Sequence, residues 1–455
     1  MDSATLIAIA LSSLVALLLV YRYLRTKPLP SPRESLHLLA SMSAKLACSA
    51  HHISRFSDEK IHRDLRNYSP LFSLVRVSHT GTITKAQCGK FAYAQAQFDP
   101  ILGAQLVPPT HQRDQAMRCT LRSPAPNPNY RTKLRDQIST HPPLQKLVER
   151  QLQEDVRRGL DTRALVVVQG DSVIAEAYED GITANTKLLG WSMTKSVTAM
   201  LIGRMETLGL ADAREHNLFP GWSRDARRHI GLENLLQMCD GLAFDERYHP
   251  ATDVSRMLFG DQPASRYALQ RPLECTPGAR FSYSSGSTNL LARWMHKRLG
   301  GTEKLQAFLL SEFIRPMGLR SLLLETDGDG VFVGSSYGYA DGRDWARLGT
   351  LLLNNGILRG KRVLDRGWIH RATAPNTSLN DSRYGYQLWL NRGREEEAPL
   401  LHPTLPVDSY FMLGNREQKL MVCPSQHAVI VRLGWSASPY PVESRFGELL
   451  DALPD

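Results

Sequence analysis

Segments that favour β-strands lie far apart in this chain, on both sides of a long run of predicted helices. Before that run, residues 164–178 (ALVVVQGDSVIAEAY) form two β-rich stretches that meet at Gly170-Asp171, a pattern that predicts a hairpin. After it, turn residues separate three further strand-like stretches, at 409–413, 419–423 and 427–435. Since isolated strands are unstable, we expect these distant segments to pair in one antiparallel sheet.

Helical periodicity fills the region between the strands and flanks them. The predicted helices lie at 36–51, 61–68, 144–158, 232–239, 288–299, 302–313, 344–353 and 443–453. A sheet flanked by helices and carrying an inserted helical domain is an α/β fold of the α+β sandwich type. The 455 residues exceed one typical domain. We divide them into residues 1–27, an N-terminal region at 28–143 whose independence the sequence leaves open, and a sheet-containing domain at 144–455.

The first part of the chain has the length and composition of a membrane span. Residues 6–24 (LIAIALSSLVALLLVYRYL) are almost entirely apolar until Arg22, close to the roughly 20 residues that cross a bilayer. Arg25 and Lys27 continue a positive flank, and Asp2 stands where a signal peptide would carry a positive charge. We therefore predict an uncleaved single-pass anchor in membrane lipid. The positive flank favours a cytoplasmic domain, although long domains can override that rule.

Net charge and the spacing of cysteines and histidines limit the kinds of partner, metal and cofactor expected for this chain. The net charge is +10, and several early basic residues contribute to it: Arg113, Arg118, Arg122, Arg131, Lys133 and Arg135. No nucleic-acid-binding motif accompanies them, so anionic lipid or a plain solvated surface is the better interpretation. The six cysteines form no CxxC pair and the histidines show no ligand spacing, so we expect no metal and no cofactor. One or two structural disulfides stay open.

Ser192 and Lys195 are the first candidates for chemistry. They lie three residues apart in WSMTKSVTAMLIGRMETLGL, and positions i and i+3 share one face of a helix. An apolar stripe predicts that this helix is buried, which favours a neutral, proton-accepting lysine. A serine hydroxyl becomes a nucleophile when such a base removes its proton. The same spacing recurs at Ser57 and Lys60, where Ser57 heads an acidic first turn and is interpreted as a helix cap.

A second element supports a catalytic role for Ser192. Tyr283 and Ser285 form Y-x-S in FSYSSGSTNLLARWM, directly before a predicted helix. A tyrosine near a lysine can have its phenol pKa lowered and then act as a general base. Without Ser192, Tyr283 would be an ordinary aromatic residue at the end of a strand.

Four segments together resemble one known family. GWSMTKSVTAMLIG, LLQMCDGLAFDERY, PGARFSYSSGSTNLLA and GSSYGYADGRDWARLGTLLLNNG occur in the order found in the class C β-lactamase-related serine hydrolases. The likeness is strongest to the 6-aminohexanoate-dimer (nylon-oligomer) hydrolases and related esterases, and it extends from about residue 144 to the C-terminus. It implies that Ser192 is acylated while Lys195 and Tyr283 share the proton transfers. The frequent export of such proteins favours an extracytoplasmic catalytic domain.

The resemblance also implies substrate-binding residues and contains one departure. Tyr248 matches a substrate-contacting tyrosine of the nylon-oligomer enzymes, although a surface-loop position would also explain it, and Ser285 belongs to the second motif. The third motif, often G-x-H-G-Q in the family, is matched by residues 414–418 (GNREQ). Asn415 and Arg416 are therefore expected near substrate. On a strand, Arg416 and Glu417 would point to opposite faces, and Glu417 in the cleft would disfavour penicillins.

Two other motifs are set aside on sequence grounds. Residues 334–338 (GSSYG) match the G-x-S-x-G elbow around Ser336, but no helix begins directly after the serine. Residues 325–330 (ETDGDG) suggest a calcium loop but lack the closing acidic residue. The sequence predicts a serine hydrolase of small-molecule esters, linear amides or peptide-like substrates. The alternatives are a β-lactamase or penicillin-binding-type peptidase, and a catalytically weak, membrane-tethered binding relative.

Overall fold

The computed structural model describes residues 31–108, 138–395 and 398–454. Residues 6–24, the early basic residues and Cys119 lie outside these ranges. Within them, no helix combines the length and apolar character that a bilayer crossing requires. The prediction of a membrane-anchored protein is wrong on this evidence, because the longest described helix, Pro32–Ser49, carries Arg33, Glu34 and Lys45.

The described residues between 31 and 108 form two helices and a small sheet. The elements are α1 (Pro32–Ser49), a π-helical turn (Ala50–Ser54), α2 (Asp58–Tyr68), a 3-10 turn (Pro70–Leu74), β1 (Val75–Thr80), β2 (Ile83–Cys88), β3 (Ala92–Asp99) and β4 (Gly103–Leu106). The strands form an antiparallel sheet in the order β1-β2-β3-β4. Ser31 caps α1 by accepting from the Glu34 amide, and Ser57 caps α2 by accepting from the Lys60 amide. Ser57 is thus the helix cap that its acidic first turn indicated.

The remaining helices alternate with the strands of three further sheets. The helices are α3 (Pro142–Arg157), α4 (Met193–Thr207), α5 (Leu232–Leu236), α6 (Asp253–Phe259), α7 (Ala264–Leu269), α8 (Ser285–Leu299), α9 (Thr302–Phe308), α10 (Arg315–Met317), α11 (Gly342–Leu353), α12 (Arg366–Ala372) and α13 (Val442–Asp451). The strands are β5 (Thr162–Gln169), β6 (Ser172–Tyr178), β7 (Leu188–Leu189), β8 (Leu323–Leu324), β9 (Gly338–Ala340), β10 (Ile357–Leu358), β11 (Lys361–Arg362), β12 (Trp389–Leu390), β13 (Tyr410–Gly414), β14 (Gln418–Cys423) and β15 (Ala428–Gly434).

The main sheet joins distant segments, as the sequence predicted. Its strand order is β12-β13-β14-β15-β5-β6 with antiparallel pairing, so β15 near the C-terminus lies beside β5. The hairpin between β5 and β6 turns at Gly170 and Asp171. A smaller sheet, β7-β9-β8, contacts the start of α4, where the Gly338 amide donates to Thr194 Oγ1 (2.9 Å). The predicted α/β sandwich with an inserted helical region is confirmed.

Side chains alternate between two hydrophobic cores on the faces of the main sheet. Val166 and Val168 of β5 pack into the larger core, which also holds the apolar residues of α4 and α8. Leu165 and Val167 point to the opposite face, where α3 and α13 cover them. Each fully buried aliphatic side chain contributes about 1.5–3 kcal/mol of burial free energy. Both faces of β5 are therefore covered, which is why its sequence is a continuous apolar run.

The described cysteines are free thiols. Cys48, Cys88, Cys239, Cys275 and Cys423 form no disulfide with one another. Burial raises the pKa of Cys48 to about 11 and that of Cys239 to about 12, so both stay protonated at neutral pH. Within the described part of the chain, the cysteines therefore act as small apolar side chains.

Candidate active site

A strained turn presents Ser192 at the start of α4. Trp191, directly before it, has φ of 47° and is fully buried, an uncommon conformation for a bulky aromatic residue. Gly190 is required next to it, because a Cβ at that position would lie 2.2 Å from the ring of Trp345. Such strain persists only where the surrounding packing enforces it, and it clusters at functional sites. The turn leaves Ser192 partly exposed beside buried neighbours.

Lys195 lies one turn further along α4 and is almost completely buried. Its Nζ donates to Ser192 Oγ (2.8 Å), to Ser285 Oγ (3.0 Å) and to the carbonyl oxygen of Ser335 (3.0 Å). These acceptors match the three N–H groups of a lysine ammonium. Burial lowers the pKa of Lys195 to about 8, and the carboxylate of Glu246 partly opposes that effect. A substantial fraction of Lys195 is therefore neutral in mildly alkaline solution and can accept a proton.

Tyr283 joins the same cluster from the loop that precedes α8. The Nζ atom of Lys195 lies 4.9 Å from the centre of its ring, and the ring stacks on Trp389. Burial, reinforced by Glu246, raises the pKa of Tyr283, while a hydrogen bond with Ser192 acts in the opposite direction. The expectation of a lowered phenol pKa is wrong. Tyr283 keeps its proton at neutral pH, which suits a proton donor better than a base.

Glu246 is a member of the cluster that the sequence did not single out. Its carboxylate accepts from Ser285 Oγ (2.5 Å) and from the Ser285 amide (2.7 Å), and it lies 4.0 Å from Lys195 Nζ. Its side chain is 19% exposed, and burial raises the pKa of its carboxyl group. The signal was present two residues before Tyr248, in the segment DERY, but an acidic residue in a loop is usually solvated.

Tyr248 lies in the site rather than on an outer surface. It is partly exposed, and its ring meets the ring of Trp191 edge to face with centres 6.4 Å apart. Burial raises the pKa of its phenol well above the ordinary value, with Glu246 and Tyr68 as the next contributors. The structure thus brings together Ser192, Lys195, Tyr283, Tyr248 and Ser285.

The third-motif residues form a tight turn instead of continuing a strand. Arg416 and Glu417 have φ of 59° and 66° within the 3-10 turn Asn415–Glu417. The guanidinium of Arg416 donates to the carbonyl oxygens of Asn67 (2.7 Å) and Trp435 (3.3 Å). The carboxylate of Glu417 lies 3.0 Å from Lys419 Nζ. The expected division of these charges between two strand faces is therefore wrong, because the backbone leaves the extended conformation here.

Asn415 and the backbone of Gly414 lie close to the nucleophile turn. The side-chain amide of Asn415 donates to the hydroxyl of Tyr68 (3.0 Å). A Cβ at Gly414 would lie 2.3 Å from the carbonyl oxygen of Gly190, two residues before Ser192. Glycine at position 414 is what allows the end of β13 to pack directly against this turn.

The side chains of the two motifs set aside above, at 334–338 and 325–330, make contacts that stabilise the fold. Ser336 is fully buried, and its Oγ lies 2.9 Å from that of Ser335. Glu325 pairs with Lys45 and accepts from the Ala104 amide (2.7 Å), so it joins residues of the N-terminal region to the larger core. Asp327 accepts from the amide of Ser265 (3.0 Å).

One described cluster has metal-ligand residue types. A nitrogen of His51, a nitrogen of His79 and a carboxylate oxygen of Asp58 lie within 4.8 Å of one another. The two imidazole rings are stacked, with an interplanar angle of 10° and centres 4.1 Å apart. Ligating nitrogen lone pairs lie in the ring plane, so parallel stacked rings cannot both point at one ion. The cluster as arranged is not a metal site.

Comparison with known proteins places this geometry in context. A family model described as Beta-lactamase matches residues 144–445. The curated 6-aminohexanoate-dimer hydrolase of Paenarthrobacter ureafaciens is 26% identical over 231 residues, which cover 47% of this chain and 57% of that protein. The chain therefore spans little more than half the length of this curated relative.

Solved structures show the same fold. A Bacillus anthracis protein named for 6-aminohexanoate-dimer hydrolysis superposes with a TM-score of 0.58 at 21% identity, covering 71% of this chain and 89% of that one. A penicillin-binding protein from Bacillus halodurans superposes with a TM-score of 0.51 at 14% identity, covering 66% of this chain and 99% of that one.

Proposed function

Because this chain belongs to the β-lactamase family, we propose that it is a serine hydrolase that cleaves ester or linear amide bonds through an acyl-serine intermediate. The observation that carries the proposal is the 2.8 Å contact between Ser192 Oγ and the buried Nζ of Lys195. A nucleophile and its base within hydrogen-bond distance are the minimum arrangement for acyl transfer. The hydrolase domain is taken as residues 144–455, with the match to residues 144–445 in support.

The proposed roles follow from proton affinity. Neutral Lys195, whose pKa burial lowers to about 8, accepts the Ser192 proton as the hydroxyl oxygen attacks the substrate carbonyl. Tyr283, whose raised pKa keeps it a neutral phenol, donates a proton to the leaving group. Water then attacks the acyl-serine: the Tyr283 phenolate accepts a proton from that water, and the Lys195 ammonium returns a proton to Ser192 Oγ as the acyl group leaves as a carboxylic acid. Glu246 holds Ser285 and stabilises the charged form of Lys195 between these steps.

Backbone amides are the proposed oxyanion donors. The amides of Ser192 and Asn415 belong to two segments that meet where Gly414 packs against Gly190. The N-terminus of helix α4 also favours negative charge at Ser192. Main-chain donors do not depend on side-chain identity, so the unusual residues of the third motif are compatible with such a hole.

Linear amides and small esters are the proposed substrates. The named activity of the curated relative, hydrolysis of a 6-aminohexanoate dimer, supports that class. A β-lactamase or peptidase function is the second candidate, favoured by the fold shared with a penicillin-binding protein. The guanidinium of Arg416 would attract a drug carboxylate if it faced the cleft, but it donates to the carbonyl oxygens of Asn67 and Trp435, which argues against that candidate. We expect clear activity on short acyl p-nitrophenyl esters and little on nitrocefin.

Labelling with a fluorophosphonate tests the proposal. Ser192→Ala should lose both labelling and ester hydrolysis, by at least about a thousandfold, as for other serine nucleophiles. Ser336→Ala tests the G-x-S-x-G motif and should keep both, because the buried Ser336 hydroxyl contacts Ser335 and makes no contact with Ser192 or Lys195 among the hydrogen bonds of the described residues. Circular dichroism of the two variants shows whether the fold is retained. Persistent labelling of a folded Ser192→Ala protein would refute the assignment, and absence of labelling in the unaltered protein would favour the catalytically weak alternative.

A further inference from the structure

Helix α2 belongs to the N-terminal region, outside the residues that the family model matches, yet it is fixed to the main sheet. The carboxylate of Asp64 accepts from Nη2 of Arg163 (2.5 Å), and both side chains are buried. The indole of Trp435 donates to the Asp64 carbonyl oxygen (2.8 Å). A buried ion pair with a directional hydrogen bond beside it defines where this helix lies.

The last turn of α2 is joined to the third motif. Arg416 donates to the carbonyl oxygen of Asn67, and its guanidinium lies 5.2 Å from the ring centre of Tyr68. Asn415 donates to the Tyr68 hydroxyl. The two polar side chains that the sequence placed beside substrate are therefore directed at α2, and Tyr68 lies where they converge.

Tyr68 also reaches the nucleophile turn. Its ring centre is 6.2 Å from that of Trp191, which in turn contacts Tyr248. Tyr68 is partly exposed, and its phenol contributes, after burial and Glu246, to the raised pKa of Tyr248. Burial raises the pKa of Tyr68 to about 12, so it presents a neutral aromatic surface.

We propose that Tyr68 is a specificity-determining residue that forms an apolar wall of the active site and selects substrates whose acyl group is apolar and carries no carboxylate. The inference rests on the proposed hydrolase function. Arg416 is held by the carbonyl oxygens of Asn67 and Trp435 and does not serve an acyl carboxylate. The carboxylate of Glu246 on the Lys195 side would repel one. The rings of Tyr68 and Tyr248 both lie against Trp191, the residue before Ser192, and offer an apolar surface to an acyl chain.

Two esters of similar length test this selection. p-Nitrophenyl butyrate has an apolar acyl chain, and mono-p-nitrophenyl succinate ends in a carboxylate. The unaltered protein should prefer the butyrate by at least about tenfold in kcat/KM, the scale of one apolar subsite. Tyr68→Ala should raise KM for the butyrate and reduce that preference by about tenfold, with kcat less affected. Tyr68→Phe, which keeps the ring, should retain the preference.

Controls separate a wall from a structural role. Tyr93→Ala removes an exposed tyrosine from the same N-terminal region and should leave kcat/KM unchanged for both esters. Fluorophosphonate labelling of Tyr68→Ala reports an assembled site independently of the esters. If that variant fails to fold, Tyr68→Leu supplies the comparison, since it keeps side-chain bulk without the ring, and the preference should again fall.

The failures of the two proposals are distinguishable. An unaltered protein that is neither labelled nor active on either ester would overturn the hydrolase function, and this inference with it. A protein that is labelled and active but prefers the succinate would overturn the inference alone. Equal loss on both esters in a folded Tyr68 variant, with the preference unchanged, would also overturn it.

Discussion

The two sides of the candidate active site are held in different ways. Ser192 and Lys195 are fixed by one turn of a buried helix, and their contact joins residues three positions apart. Asn415 is fixed by Tyr68, 347 positions away, and Arg416 by Asn67, 349 positions away. The first side is local and carries the proposed chemistry. The second side depends on the packing of the N-terminal region, and it positions the backbone of the third motif and the ring of Tyr68.

The largest expected effect falls on the local side. Lys195→Met keeps much of the side-chain volume but removes the proposed base, so kcat/KM for a short ester should fall by at least about a thousandfold. The measurement is steady-state hydrolysis of p-nitrophenyl butyrate. Lys146→Met, at an exposed lysine of α3, is the matched control and should leave the rate unchanged. A folded Lys195→Met protein with more than a tenth of the original rate would show that another group removes the Ser192 proton.

A smaller effect on the same side concerns pH. The neutral form of Lys195 is the active one, so kcat/KM should rise as pH increases through a value of about 8. Glu246 favours the ammonium and raises the pKa of Lys195. Glu246→Gln removes that negative charge while keeping an acceptor for Ser285, so the rising limb should move to lower pH. The pH profile of ester hydrolysis between roughly pH 5 and 10 measures the shift.

An exposed carboxylate provides the control for this pH effect. Glu274→Gln makes the same substitution at an exposed glutamate and should leave the limb in place. A limb that moves to higher pH in Glu246→Gln would contradict the assignment of Lys195 as the base. A limb that does not move would show that Glu246 only holds Ser285 in position.

Sequence reasoning succeeded where the determining contacts are periodic or local. The main sheet followed from apolar runs at β5, β14 and β15, and the Ser192–Lys195 pair followed from helical spacing. The prediction of Tyr283 depended on the resemblance to the family, since nothing in its local sequence places its ring centre 4.9 Å from Lys195 Nζ. The sequence predicts its pKa in the wrong direction, because burial outweighs the hydrogen bond with Ser192 and the nearby Glu246 carboxylate raises the pKa further.

The remaining features depend on long-range contacts that a sequence pattern does not reveal. From the sequence, Glu246 is only an acidic residue in a loop, because its contacts with Ser285 and Lys195 form between segments that are distant in the chain. The sequence predicts a strand at the third motif, but left-handed backbone at Arg416 and Glu417 directs Arg416 to Asn67 and Glu417 to Lys419. Tyr68 lies outside the region of family likeness, so no motif called attention to it.

The smallest expected effect on activity tests the long-range side. Arg416→Met keeps an unbranched side chain over Tyr68 and Trp435 but removes the donors to Asn67 and Trp435. Loss of such charged hydrogen bonds should lower the free energy of unfolding by about 1.5–3 kcal/mol, measured by urea denaturation. Arg66→Met, at an exposed arginine of the same α2 helix, should have little effect on stability.

Activity in the same variant decides what Arg416 does. If Arg416 only joins the third motif to α2, Arg416→Met should keep kcat/KM for the butyrate ester within about threefold and leave the butyrate-to-succinate preference unchanged. A guanidinium that bound substrate carboxylates would behave in the opposite way: succinate hydrolysis would fall selectively while stability stayed the same. That result would move Arg416 to the chemical side of the comparison. Since the guanidinium already donates to two carbonyl oxygens, we expect stability, and not substrate preference, to change.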